Sequence, residues 1–317
     1  MKQRKFQTIE TNGIRLRVVV EGKGPLVILL HGWPQGWYLW RHQIDPIIEA
    51  GFTVAVPDQR GYGGSDAPAD QDSYNLVELA SDIVGIADAL GYQQFLVVGH
   101  DWGAPVAWNL ALLHEDRVKA VACLSVPYFR FPIKGYTQQE FFGDKFWYMV
   151  YFQKPGVAEA EFEANPRRSI HMIHWMLSGD APEDIFFRPM TKDSKFLDHM
   201  PELKALPSAM TQEDLDYFTA EYERAGFRGG LNWYRNIDRS MEMTKHLEGR
   251  KVQQPSFFIT GEKDVILKFP GVDPERVFDT LADLRGTVVV PGAGHWVQAE
   301  RPDAVNPPLI EFLKSVR

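Results

Sequence analysis

A chain of 317 residues with 44% hydrophobic and 24% charged residues has the make-up of a globular protein with a large core, or one core carrying an inserted subdomain. The net charge of −8 is spread without a basic run, which argues against nucleic acid or an anionic membrane as partner. Cys123 is the only cysteine, so there is no internal disulfide and no thiolate metal cluster, and no apolar run approaches membrane-spanning length. The N-terminal MKQRKFQTIETNG lacks an apolar signal region, and a cytoplasmic location is expected.

Residues 6–21 alternate as a pair of strands with Asn12-Gly13 as the hairpin turn. Leu26–Leu30 reads as a buried strand running into His31-Gly32-Trp33-Pro34, followed by a helix from about Trp37 to Ala50. Phe52–Val56 is a further buried strand that ends in the glycine-rich loop Asp58–Ser65. That loop opens no helix, so turn chemistry assigns it a structural role rather than a phosphate cradle. Leu76–Leu90 has helical spacing, with Asn75 or Ser73 as cap and Gly91 as stop. Phe95–Val98, a helix from Ala104 and strand Val118–Leu124 continue the strand–helix rhythm, which means a parallel sheet covered on both faces. Cys123 falls in this last apolar run, where a buried inert thiol is expected.

The rhythm changes after Pro127. Three parts result: an α/β core over 1–127, a helical, aromatic-rich lid over 128–250, and a second part of the core over 251–317. In the last part Ser256–Thr260 is a strand, a helix is expected around Pro274–Leu284, and Thr287–Val290 is a strand. Because interior prolines break helices, Asp303–Asn306 should form a turn and the terminal helix should start at Pro307 with Asn306 as cap.

The stretch Phe95–Trp108, FLVVGHDWGAPVAW, places Asp101 on a tight strand–turn–helix corner flanked by Gly99 and Gly103. This is the setting of a nucleophile elbow with Asp in the place usually held by Ser. Asp264 follows one later strand and His295 the next, so the chain order is nucleophile, acid, base, each at the carboxyl end of a parallel strand. Taken singly, Asp101 could cap a helix, Asp264 could serve a turn, and Glu262 is an alternative acid. A carboxylate with a pKa near about 4 is already ionised at neutral pH and can attack an electrophilic sp³ carbon without a base. His295, held by Asp264, is then free to activate water against the resulting ester. The oxyanion formed in that step would be met by the backbone N–H groups of Trp33 and Trp102. The pattern predicts displacement at carbon, without a metal or cofactor; His171 and His174 lack a complementary ligand pattern, and His100 reads as a packing residue.

Over nearly its whole length the sequence resembles the epoxide hydrolases of the α/β-hydrolase fold. The motifs HGWP, DQRGYGGSD, GHDWGAPVAW and GAGHWVQAERP carry the resemblance. It extends to YFQKPGVAEAEFE (Tyr151–Glu163) and GFRGGLNWYRN (Gly226–Asn236), which look like the lid segments that supply two tyrosines in that family. By motif these are Tyr148 and Tyr234, with Tyr151 as a competitor for the first. The resemblance implies an α/β-hydrolase fold with a helical cap. It also implies a small apolar epoxide and water as reactants, a diol as product, and a monomer or homodimer. Epoxide opening releases a tethered alkoxide, and a phenol with a pKa of about 10 is a fitting proton donor to it. Two rivals are a haloalkane dehalogenase, which shares the Asp nucleophile but leaves the tyrosines unexplained, and a non-catalytic binding protein, which leaves the triad unexplained.

Overall fold

The computed structural model describes residues 3–128, 135–269, 272 and 278–317. Strands β1 (Phe6–Thr11) and β2 (Ile14–Gly22) form the opening antiparallel hairpin. Its turn residues Asn12 and Gly13 have φ of 47° and 74°, the left-handed pair that matches strand twist. The apolar runs become β3 (Leu26–Leu30), β4 (Thr53–Pro57), β5 (Phe95–His100) and β6 (Val118–Leu124). Burial on both faces explains why these strands do not alternate.

The expected helix over 37–50 splits into a 3₁₀ turn at Trp37–Trp40 and α1 (Ile44–Glu49). Pro46 has no N–H to donate, so it is accommodated in a first helical turn and not in the middle of a longer helix. Helices α2 (Leu76–Ala89) and α3 (Gly103–Leu113) follow, and the Asn75 side chain caps α2 by accepting from the amides of Val77 and Glu78.

Between β6 and the next strand lie α4 (Gln139–Phe142), α5 (Tyr148–Tyr151), α6 (Val157–Glu163) and α7 (Pro166–Leu177), then α8 (Gln212–Ala225), α9 (Arg228–Arg235) and α10 (Ile237–Met243). The sheet resumes with β7 (Val252–Gly261) and β8 (Leu281–Val290). The helix expected around Pro274–Leu284 is corrected here. Residues 273–277 lie outside the described residues, and Leu281–Leu284 belong to β8, paired with β7 from Val252↔Leu281 to Gly261↔Val290. Pairing along the sheet overrides the local helical preference of Leu-Ala-Asp-Leu.

The C-terminal expectation is also corrected. After the short α11 (Val297–Glu300), α12 runs unbroken over Pro302–Ser315, with Pro307 and Pro308 inside it and Pro302 at its start. Each interior proline costs roughly 3 kcal/mol. Burying Val305, Leu309, Phe312 and Leu313 contributes about 1.5–3 kcal/mol each, so packing outweighs the lost bonds. Asn306 is not a cap: its Nδ2 donates to the His42 carbonyl and its Oδ1 accepts from Gln43.

The eight strands run in the order β1-β2-β4-β3-β5-β6-β7-β8, parallel from β4 onward. The chain leaves β3 toward one edge and β5 toward the other, so the topological switch falls between these two strands. Open parallel sheets form their binding crevices beyond the carboxyl ends at such a switch. The loop after β3 carries Trp33 and the turn after β5 carries Asp101.

Candidate active site

The chain turns out of β5 at Asp101, whose φ of 50° is rare for a residue with a side chain. This backbone aims the carboxylate back over the sheet edge. A Cβ on Gly32 would fall onto Asp101 Oδ1, so only glycine lets the β3 loop come close enough. The approach is used: the Trp33 backbone N–H donates to Asp101 Oδ1 at 2.6 Å.

The second carboxylate oxygen faces His295. Asp101 Oδ2 lies 3.4 Å from His295 Nε2, and His295 Nδ1 lies 3.1 Å from Asp264 Oδ1. Asp264 and His295 are both almost wholly buried. Glu262, the alternative acid, is exposed and accepts from the Gly292 amide. His100 Nε2 is 2.8 Å from the His295 carbonyl oxygen, which steadies the histidine loop from below. The sheet edge thus brings together Asp101, Asp264, His295 and the Trp33 amide.

The electrostatics follow from this burial. For His295, burial disfavours the charge, but the Asp264 carboxylate and hydrogen bonds to Asp101 and Asp264 outweigh it and raise the pKa to about 10. For Asp101, burial also opposes ionisation. Its hydrogen bond to His295, the His295 charge and the Trp102 backbone amide outweigh burial and hold the carboxyl below the ordinary range. At neutral pH the pair is carboxylate and imidazolium.

Tyr148 and Tyr234 approach from the helical segment. Both are buried, their rings 5.8 Å apart, and they line one cavity with Asp101, Trp102, Ile266 and Phe269. Burial, and then the Asp101 charge, push both phenols well above 10, so both keep their protons. Tyr151 is turned elsewhere, with its hydroxyl donating to Glu161 at 2.8 Å. The Trp102 ring packs edge-on against Tyr234 at 5.1 Å.

Packing places the tyrosines. Tyr148 begins α5 and is edged by Phe152 at 5.5 Å and Phe186 at 5.6 Å. Tyr234 sits on α9, which is anchored by the next residue. Arg235 forks onto Glu159 at 2.7 and 3.0 Å and donates to the Phe152 carbonyl. Gly229 lets α9 lie on the Asp58–Ser65 loop, because a Cβ there would strike Gly61. Trp233 Nε1 completes that seat by donating to the Arg60 carbonyl at 3.1 Å. The loop read from sequence as structural therefore carries the helix that bears Tyr234.

The remaining candidates take bland positions. Cys123 is buried, and desolvation pushes its thiol well up. His171 faces the Ala205 carbonyl and His174 the Gln35 amide, and among the described residues no group of acids, histidines and cysteines converges as metal ligands. One residue escaped the sequence reading. Ser125, directly after β6, has its Oγ 2.7 Å from His295 Nδ1 and also hydrogen-bonds Asp264 Oδ2. The signal that could have found it is the one that found Asp264: a polar residue at the carboxyl end of a central strand.

The family model for the alpha/beta hydrolase fold matches residues 25–302. Epoxide hydrolase A of Mycobacterium tuberculosis is 44% identical over 310 residues, 96% of each chain. Epoxide hydrolase 3 of Siraitia grosvenorii is 37% identical over 327 residues, 99% of each. Among solved structures, epoxide hydrolase A from Mycobacterium thermoresistibile superposes with a TM-score of 0.92 at 44% identity, covering 98% of both chains. An epoxide hydrolase from an endophytic Streptomyces does so with a TM-score of 0.95 at 38% identity, covering 100% of this chain and 97% of its own. The chain belongs to the epoxide hydrolases of the α/β-hydrolase fold.

Proposed function

We propose that Asp101 is the nucleophile of a two-step epoxide hydrolysis, beneath a helical lid spanning roughly residues 128–250. The observation that carries the reading is the division of labour on its carboxylate. One oxygen is held by the Trp33 amide and the other faces His295, while the Asp101 side chain lines the same cavity as Tyr148 and Tyr234.

In the first step Asp101 attacks an epoxide carbon, the C–O bond breaks, and Tyr148 and Tyr234 hydrogen-bond the departing oxygen and protonate it. Positioned acids of this kind contribute about 10²–10⁴-fold. The product is an ester between Asp101 and the opened substrate. Ester formation removes the negative charge that helps hold the His295 pKa near 10, so that pKa falls and the imidazolium gives up its proton, which restores the tyrosine that had protonated the departing oxygen. The first step thereby switches on the base for the second. His295, oriented by Asp264, then deprotonates a water that attacks the ester carbonyl. The oxyanion forms on the former Asp101 oxygen, within reach of the Trp33 and Trp102 amides. On collapse the departing alkoxide takes the proton that His295 removed from water, the new Asp101 carboxyl passes its own proton to His295, and the diol leaves behind the restored carboxylate and imidazolium.

The lining of the reaction cavity, with Ile266, Phe269, Trp102 and the two tyrosines, suits a small apolar epoxide. No helix among the described residues is long and apolar enough to cross a membrane. The test is His295→Gln with styrene oxide, followed by mass spectrometry. The reading predicts the intact protein heavier by one whole epoxide, with the added mass on the peptide containing Asp101. An unmodified protein that completes turnovers would refute it.

A further inference from the structure

The residue that sequence reading missed sits where the triad can be tuned. In the sheet order β5-β6-β7, β6 lies between the strand that leads to Asp101 and the strand that leads to Asp264, so its carboxyl end opens directly beneath His295. Ser125 occupies that end and is wholly buried. Its φ is 72°, and the Val126 amide donates to the Leu124 carbonyl at 2.8 Å across it. A hydrogen bond from i+2 back to i around a positive-φ residue is a rare and strained form of γ-turn. Strain of this kind persists where the surroundings over-determine the backbone. The Ser125 amide is itself fixed by donating to the Ile259 carbonyl on β7 at 2.8 Å.

The strained turn aims the hydroxyl at two partners. Ser125 Oγ–H donates to Asp264 Oδ2, which leaves the oxygen lone pairs to accept from His295 Nδ1–H at 2.7 Å. That is a closer approach than the 3.1 Å from the same nitrogen to Asp264 Oδ1. We infer that Ser125 is a positioning residue for the hydrolytic half of the reaction. It locks His295 in the tautomer with the proton on Nδ1, so that Nε2 is free to take a proton from water, and it ties the ring to Asp264 by a second route. The orientation of a catalytic histidine by its other nitrogen is a recurrent determinant of its basicity. The inference rests on the proposed role of His295 as the base in ester hydrolysis.

The other charged or titratable groups packed around His295 are Asp101 from the elbow, Asp264 after β7, His100 on β5 and Glu300 on α11. Glu300 accepts from the amides of Gly294, Trp296 and Gly179. Ser125→Ala leaves all of them in place.

The experiment is pre-steady-state kinetics on the full chain with styrene oxide, following intrinsic tryptophan fluorescence and quenched-flow diol formation. Ser125→Ala is expected to form the ester within about threefold of the wild-type rate and to hydrolyse it about 10–100-fold more slowly, so that ester accumulates in the steady state. Loss of the nearer acceptor on Nδ1 weakens the imidazolium. The acid limb of the hydrolysis rate should therefore move to lower pH by about one unit, while the pH profile of ester formation stays put. Ser125→Gly relieves the positive φ yet also lacks the hydroxyl, and should show the same defect. This separates the hydroxyl from the fold should Ser125→Ala prove unstable. Wild-type ester hydrolysis in Ser125→Gly, an unmoved pH profile, or equal loss of both steps would each overturn the assignment. Absence of any ester phase in the wild type would instead refute the two-step reading on which the assignment rests.

Discussion

Asp101, Asp264 and His295 stand within five residues of the ends of β5, β7 and β8, whereas Tyr148 and Tyr234 come from two helices of the segment between β6 and β7. The first group is aimed by backbone: a left-handed φ at Asp101, a γ-turn at Ser125, and the Trp33 amide from the loop after β3. The second group is aimed by packing: aromatic rings around Tyr148, and the Arg235–Glu159 fork beside Tyr234. A site built this way has a fixed half and a half that depends on how well a helical segment is seated. In the proposed reaction the fixed half carries bond making at carbon and water, and the seated half carries proton delivery.

If that contrast holds, the largest loss belongs to the fixed half. Asp101→Asn should lower steady-state diol formation by about 10⁴-fold or more, because the proposed reaction has Asp101 as its one nucleophile toward carbon. By NMR its His295 pKa should lie well below the value of about 10 that the intact pair supports, since one of the two neighbouring charges is gone. Measured diol formation near the wild-type rate in a variant verified as non-deamidated would break the scheme.

Next come the phenols. The double variant Tyr148→Phe, Tyr234→Phe should slow ester formation by about 10²–10⁴-fold, and each single variant by roughly 10-fold, while hydrolysis of ester already formed is nearly unaffected. Stopped-flow separation of the two steps checks this. Equal slowing of both would erase the division between the halves.

A smaller effect should follow from loosening the seat of α9. Glu159→Ala leaves Arg235 buried and without its carboxylate, a change worth about 3–5 kcal/mol where the pair is fully enclosed. Limited proteolysis should then cut first among α5 to α9. Ester formation should weaken more than hydrolysis, because Tyr234 moves and His295 does not.

The smallest effect on activity belongs to the C-terminal helix. Pro307 is exposed on α12, so Pro307→Ala restores a backbone donor without disturbing a packed face. It should raise the melting temperature, by up to about 3 kcal/mol in stability, with turnover unchanged.

The same contrast explains what could be read from the sequence. The meeting of Asp101, Asp264 and His295 was legible because strand-end turns leave short local signatures: Gly99 and Gly103 about Asp101, and the turn residues before Asp264 and His295. The buried strands were legible as unbroken apolar runs. What was lost depends on partners remote in sequence. Ser125 looks like any small residue after a strand until β5 and β7 flank it. Leu281–Leu284 looks helical until β7 pairs with it. Asn306 looks like a cap until Gln43 and His42 claim its side chain. The Arg235–Glu159 fork joins positions 76 apart and leaves no local trace.

The most direct test of the account is a single turnover in ¹⁸O-water with enzyme in excess over epoxide. Because the diol takes its new oxygen from Asp101, and water replaces that oxygen on the carboxylate, the account predicts unlabelled diol. The label should appear on the peptide containing Asp101. Labelled diol with an unlabelled Asp101 peptide would mean that water attacks the epoxide directly, and would contradict it.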